Sequence, residues 1–153
     1  MLTEASGAES GVADKLSVVV YSGGFEEVHY ALVMASAAAS VNAAVTLFFT
    51  MGATRALLGP SPEGAPGWHA LGPGPAGLSP TERDEAFEAL GIASFDELLD
   101  ACVSLGVRFL VCEMGLRAMR IEPGDLRDDI AIEVGGVVTF LADTSKTGKT
   151  LFI

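Results

Sequence analysis

Basic residues are scarce in this chain: nine Lys and Arg stand against twenty Asp and Glu, for a net charge of −11. They are scattered rather than clustered, so no nucleic-acid partner is expected, because neutralising phosphates needs a positive patch. Cysteine is scarcer still. Cys102 and Cys112 cannot build a disulfide framework, and there is no C-x-x-C and no zinc-ligand spacing. No metal and no cofactor are expected, and the protein reads as cytoplasmic. The two histidines, His29 and His69, lie away from every predicted strand end. A Cys-His-Asn or Ser-His-Asp hydrolase would therefore lack its base. The G-x-G-x-x-G and G-x-x-x-x-G-K-[ST] nucleotide patterns are missing too. Finally, no apolar run reaches the roughly 20 residues of a membrane helix. The longest candidate, Ala31 to Phe49, is broken by Ser36, Ser40, Asn42 and Thr46, so no integral membrane insertion is expected.

What the chain does have is apolar content. Half of its 153 residues are hydrophobic and the mean hydropathy is +0.44. That suits one domain with one core over residues 15–153, with spare apolar surface to bury between subunits. Residues 1–14 lack a basic stretch followed by an apolar one, and read as a polar, flexible leader rather than a signal peptide.

Lys15 to Tyr21 is a β-branched run ending at Ser22-Gly23-Gly24, which predicts a buried central strand and a tight turn. Glu26 and Glu27 open a helix to about Ser40, with Val28, Ala31, Leu32, Ala35 and Ala39 on its apolar face and His29 on the flank. Ala44 to Phe49 is the second strand, ending at Thr50-Met51-Gly52, and a short helical piece over Ala53 to Leu58 follows. The segment 59–80 holds six of the seven prolines. It predicts a loop insertion without regular structure, and Trp68 and His69 make it a candidate lid. Ser79-Pro80-Thr81-Glu82 and Ser94-Phe95-Asp96-Glu97 are capping boxes that start two helices. In the second of these, Phe95, Leu98, Leu99, Cys102 and Leu105 form one apolar stripe, which makes Cys102 a core residue.

Val107 to Val111 is the third strand, Ile130 to Val134 the fourth, and Lys149 to Ile153 the last. Gly135-Gly136 turns the fourth strand into a helix over Val137 to Asp143. Alternating strands and helices predict a doubly wound, mainly parallel five-stranded sheet with helices on both faces. Four strand ends then gather at one edge: Ser22, Gly23 and Gly24; Met51 and Gly52; Cys112, Glu113 and Met114; Gly135 and Gly136. Ligands in such sheets collect at the carboxyl ends of the strands. A thiol at Cys112 would sit near a helix N-terminus, whose partial positive charge favours thiolate, while Glu113 works the other way. The alternative is a small hydrophobe in a buried turn.

These blocks, S-G-G-F-E-E-V-H-Y-A-L-V-M-A-S-A-A-A-S, V-T-L-F-F-T, V-C-E-M-G-L-R-A-M-R-I and I-E-V-G-G-V-V-T-F-L, resemble the DsrE/DsrF-like proteins. The chain is most similar to their stand-alone branch, often labelled peroxiredoxin-like. The resemblance implies a flavodoxin-like domain that forms homo-oligomers, often trimers or hexamers, and carries sulfur as a persulfide on the cysteine matching Cys112. Sulfur donors and acceptors, proteins or small sulfur compounds, are then the implied partners, and the activity is sulfurtransferase-like. Cys102 matches no functional position. The chain departs from the family at Met51-Gly52-Ala53-Thr54, where the family is usually bulky and aromatic, and in the 59–80 loop. A competing reading is a small-ligand or protein-binding assembly module in which Cys112 is structural.

Overall fold

In the computed structural model, residues 11–153 are described; residues 1–10, most of the expected leader, lie outside them. The strands are β1 (Lys15–Val20), β2 (Ala44–Phe49), β3 (Arg108–Cys112), β4 (Ile132–Gly135) and β5 (Lys149–Phe152). The helices are α1 (Phe25–Ser40), α2 (Pro80–Ala89), α3 (Phe95–Ser104), α4 (Glu113–Ala118) and α5 (Val137–Asp143). All strand pairings are parallel, in the order β4-β3-β2-β1-β5.

That order decides where each helix lies. The steps from β1 to β2, β3 and β4 all run one way across the sheet, so right-handed connections put their helices on one face. Only the last connection returns across the whole sheet to β5, which sends α5 to the other face. The side chains agree. Val18, Leu47 and Phe109 share a cross-strand row and pack with Leu32 of α1, Leu99 of α3 and Leu116 of α4 in the main core. On the second face Phe48, Leu110 and Cys112 pack with Phe140 of α5, and Val19 borders them.

Both predicted capping boxes are formed. Ser79 accepts from the Glu82 N–H and Ser94 from the Glu97 N–H, and each glutamate answers the cap backbone. Other expectations need correction. The piece after β2 is a 3₁₀ helix over Met51–Leu57, and the Pro/Gly-rich segment contains 3₁₀ turns at Gly67–Ala70 and Pro75–Gly77. Short turns of this kind need few consecutive backbone donors, so proline does not forbid them. Leu105 leaves the α3 stripe and is exposed. His29 is buried rather than flanking, because Phe87 covers its ring at 4.7 Å and Nε2 meets the Ala93 carbonyl at 2.9 Å.

Candidate functional site

The four strand ends do gather at one edge, through backbone contacts that only glycine allows. A Cβ on Gly52 would lie 2.8 Å from Gly23 Cα, so the ends of β1 and β2 touch main chain to main chain. A Cβ on Gly115 would lie 2.6 Å from Met51 N and 2.8 Å from Thr50 Oγ1, so α4 sits directly on the exit of β2. Met51 itself takes φ +47°, uncommon for a residue with a side chain. Cys112 is paired in register with Gly135, and Gly136 caps α5 beside it.

Cys112 ends β3 and occupies the N-cap position of α4, without a side-chain capping bond. It is only 1 % exposed. Its alternation in the strand points it to the second face, into the cluster of Phe48, Leu110 and Phe140. Glu113 and Met114, the next two residues, are exposed. Cys102 has the opposite setting. It lies in the main core with its thiol 3.6 Å from the Leu32 carbonyl, and burial pushes its pKa up to about 12.

The first turn is already engaged. The Gly24 N–H donates to Ser22 Oγ at 3.1 Å and the Phe25 N–H to the Gly72 carbonyl at 3.2 Å, while the Gly72 N–H donates to the Gly23 carbonyl at 2.7 Å. The Pro/Gly-rich segment thus closes on the turn that would otherwise present donors to an anion. That segment is held by Trp68, buried at 3 %, whose Nε1–H donates to Asp96 Oδ1 at 3.0 Å and whose ring stacks on Phe95 at 4.8 Å. Trp68 belongs to the main core, apart from the Cys112 cluster. His69 packs edge-on against Trp68 and lines a cleft with Asp125 and Arg127.

Two features of α5 escape motif reading. Phe140, the one buried residue of α5, stacks on Phe48 with centroids 4.9 Å apart and planes at 16°. At the far end of α5, Asp143 receives Lys15 at 2.8 Å, Arg108 at 2.6 Å and the Thr46 hydroxyl at 2.5 Å. Arg108 also grips Glu133 with two bonds of 2.7 and 2.6 Å. The available signal was a charged residue at the start of an otherwise apolar strand, which needs a partner.

An all-parallel five-stranded sheet with helices on both faces defines a flavodoxin-like α/β domain, and this one carries a cysteine at the carboxyl end of its third strand and a first turn closed by its own chain. The chain belongs to the DsrE/DsrF/DrsH-like family, whose model matches residues 75–152, just over half of it. It is 24% identical over 157 residues to the sulfur carrier protein DsrE2 of Allochromatium vinosum, covering 91% of this chain and 98% of the relative. It is 23% identical over 156 residues to the uncharacterized protein YrkE of Bacillus subtilis, covering 91% and 96%. Among solved structures, the ychN protein from E. coli superposes with a TM-score of 0.50 at 17% identity, over 91% of this chain and 99% of that one. Among the described residues no helix is long and apolar enough to cross a membrane.

Proposed function

We propose that this protein is a cytoplasmic sulfur carrier that holds sulfur as a persulfide on Cys112 and passes it to a partner. The observation that carries the reading is the position of Cys112, at the carboxyl end of β3 and the start of α4, in a family that includes a sulfur carrier. The chemistry needs no acid–base machine. The Cys112 thiolate attacks the outer sulfur of a donor R–S–SH, the donor S–S bond breaks, and R–S⁻ leaves with the electron pair as Cys112–S–SH forms. An acceptor thiolate then attacks the terminal sulfur and Cys112 leaves as thiolate. Donor and acceptor are proteins or small sulfur compounds.

The working unit is a homo-oligomer, a trimer or hexamer. Parallel sheets are normally covered on both faces. Here the β1–β5 side of the sheet leaves Tyr21 48 % and Phe152 70 % exposed, their rings tilted at 31° with centroids 5.4 Å apart, and α5 leaves Val138 and Leu141 exposed. A second copy is the simplest cover for such a surface. Light scattering at micromolar concentration should give a multiple of the chain mass, and a clean monomer would refute it.

The burial of Cys112 favours one other reading, a binding or assembly module in which this thiol only packs. Incubation with a persulfide donor, followed by intact mass, separates the two. The carrier gains one sulfur, about 32 Da, on the wild type and on Cys102→Ser, and not on Cys112→Ser. Gain on Cys102 alone, or on neither thiol, rules the carrier out.

A further inference from the structure

Among the described residues one helix covers Cys112 on the second face, and it is short and buries a single side chain. α5 has seven residues, far below the roughly 12–15 at which an isolated helix becomes marginally stable. Among the described residues it is the one helix that covers the second face, and Phe140 is its only buried side chain. Val137, Val138 and Leu141 point away from the sheet and are 48, 80 and 58 % exposed. It is entered through Gly135, which is paired with Cys112 and whose Cβ position would meet the Thr139 side chain at 3.1 Å, and then Gly136, where nothing lies within 4 Å of an added Cβ, so the freedom of the entry lies at Gly136 alone. The far end is held by the Asp143 carboxylate on Lys15, Arg108 and Thr46, and by the chain that runs on through Gly148 into β5.

We infer that α5 is a latched lid over Cys112, with Gly136 as its hinge, Phe140 as the plug stacked on Phe48, and Asp143 as the latch. The lid gives a sulfur carrier both things it needs. Closed, it keeps a persulfide under Phe140, away from water and stray thiols; open, it lets donor and acceptor reach the sulfur. Its purpose follows only if Cys112 reacts, so it rests on the carrier reading above. Phe140 and Asp143 are positioning residues, since neither takes part in the exchange of sulfur. Short elements held by few buried contacts are where local opening is cheapest, and here the opening is set by an ion cluster on the opposite side of the helix from the hinge.

The test is the rate at which iodoacetamide alkylates each cysteine of the full chain, followed by peptide mass, with Cys102 as the reporter of global unfolding. Thr46→Val, close in shape to the native residue, removes one bond to the latch; Asp143→Asn weakens all of them; Gly136→Ala stiffens the hinge without a clash. The expected result is Cys112 labelling faster by about tenfold in Asp143→Asn, severalfold faster in Thr46→Val and severalfold slower in Gly136→Ala, with Cys102 unchanged in all. Equal Cys112 rates across the wild type and these variants overturn the lid, as does Cys102 labelling that rises in step with Cys112. If Asp143→Asn does not fold, Thr46→Val and Gly136→Ala decide alone. The same samples, treated with a persulfide donor, separate this from the carrier reading. Latch-dependent alkylation without sulfur uptake in any variant keeps the lid and ends the carrier; sulfur uptake at one rate in every variant does the reverse.

Discussion

Asp143 and Lys15 come from opposite ends of the described chain and meet at 2.8 Å. Asp143 closes α5 and Lys15 opens β1, so their contact ties the second-face helix to the start of β1. Burial alone would raise the Asp143 carboxyl, but the bonds from Lys15 and Thr46 and the charges of Lys15 and Arg108 outweigh it and hold its pKa below the usual aspartate range.

The pH dependence follows from that direction. A carboxyl whose folded pKa is depressed stabilises the fold in full above its unfolded value and loses that contribution as pH falls through the folded one. The Asp143 cluster is therefore intact above about pH 5 and weakens below about pH 4. Asp143→Asn should cost about 1–2 kcal/mol at pH 7. The gap between the urea midpoints of wild type and variant should narrow as pH falls below about 4; a constant gap would show that the charge is not what matters.

Asp84 is expected to behave in the opposite sense. Its Oδ1 accepts the Phe95 N–H at 2.8 Å and so serves the start of α3, yet burial raises its pKa above the ordinary range despite that bond. Its contribution is largest below the unfolded pKa and is lost as pH rises through the folded one. Asparagine keeps the acceptor and drops the charge, so Asp84→Asn should be neutral or stabilising at pH 7. Asp84→Ala should lose about 1 kcal/mol for the missing acceptor. Thermal unfolding of the pair checks this, and equal losses in both would contradict it.

Two glycines at the candidate edge should respond differently to the same change. Gly115→Ala drives a methyl into Met51 N and Thr50, main-chain and buried atoms that cannot step aside, and should cost about 1–3 kcal/mol. Gly136→Ala meets open space and should leave the midpoint of denaturation within about 0.5 kcal/mol. A benign Gly115→Ala would mean that α4 can lift from the exit of β2.

Ser17 offers a gain. Among the described residues its hydroxyl is the one buried side-chain polar atom without a hydrogen-bond partner, in a cross-strand row with Thr46 and Thr150. Ser17→Ala should raise stability by about 1 kcal/mol. A loss of similar size would place a bridging water there.

The strands and the long helices were legible because their signals are local. Val18-Val19-Val20 is a β-branched run and Leu47-Phe48-Phe49 an apolar, mainly aromatic one, each followed closely by glycine or threonine, and Ser79 and Ser94 announce their helices three residues before the answering glutamates. The place of Cys112 at a strand end was legible for the same reason. Its burial was not, since that depends on α5 crossing to the second face, a consequence of β5 pairing with β1 that no local pattern records. His29 misled in the same way: off the stripe of its own helix, it is covered by Phe87 from α2. The Pro/Gly segment read as shapeless because its order comes from outside, from Trp68 on Phe95 and from Gly72 on the first turn.

The pairing of β5 with β1 also sets an order of events on the ribosome. β1 emerges first, and β2, β3 and β4 can add to one side of it as each is made. Its other side waits for residues 149–152, after the other three strands have been made. Until then the nascent sheet carries an apolar strand with an open row of backbone donors and acceptors, the kind of template on which chains misassemble. Premature termination anywhere after β4 would make that exposure permanent, so truncated products of this chain should be chaperone clients and aggregate seeds well before they are merely inactive.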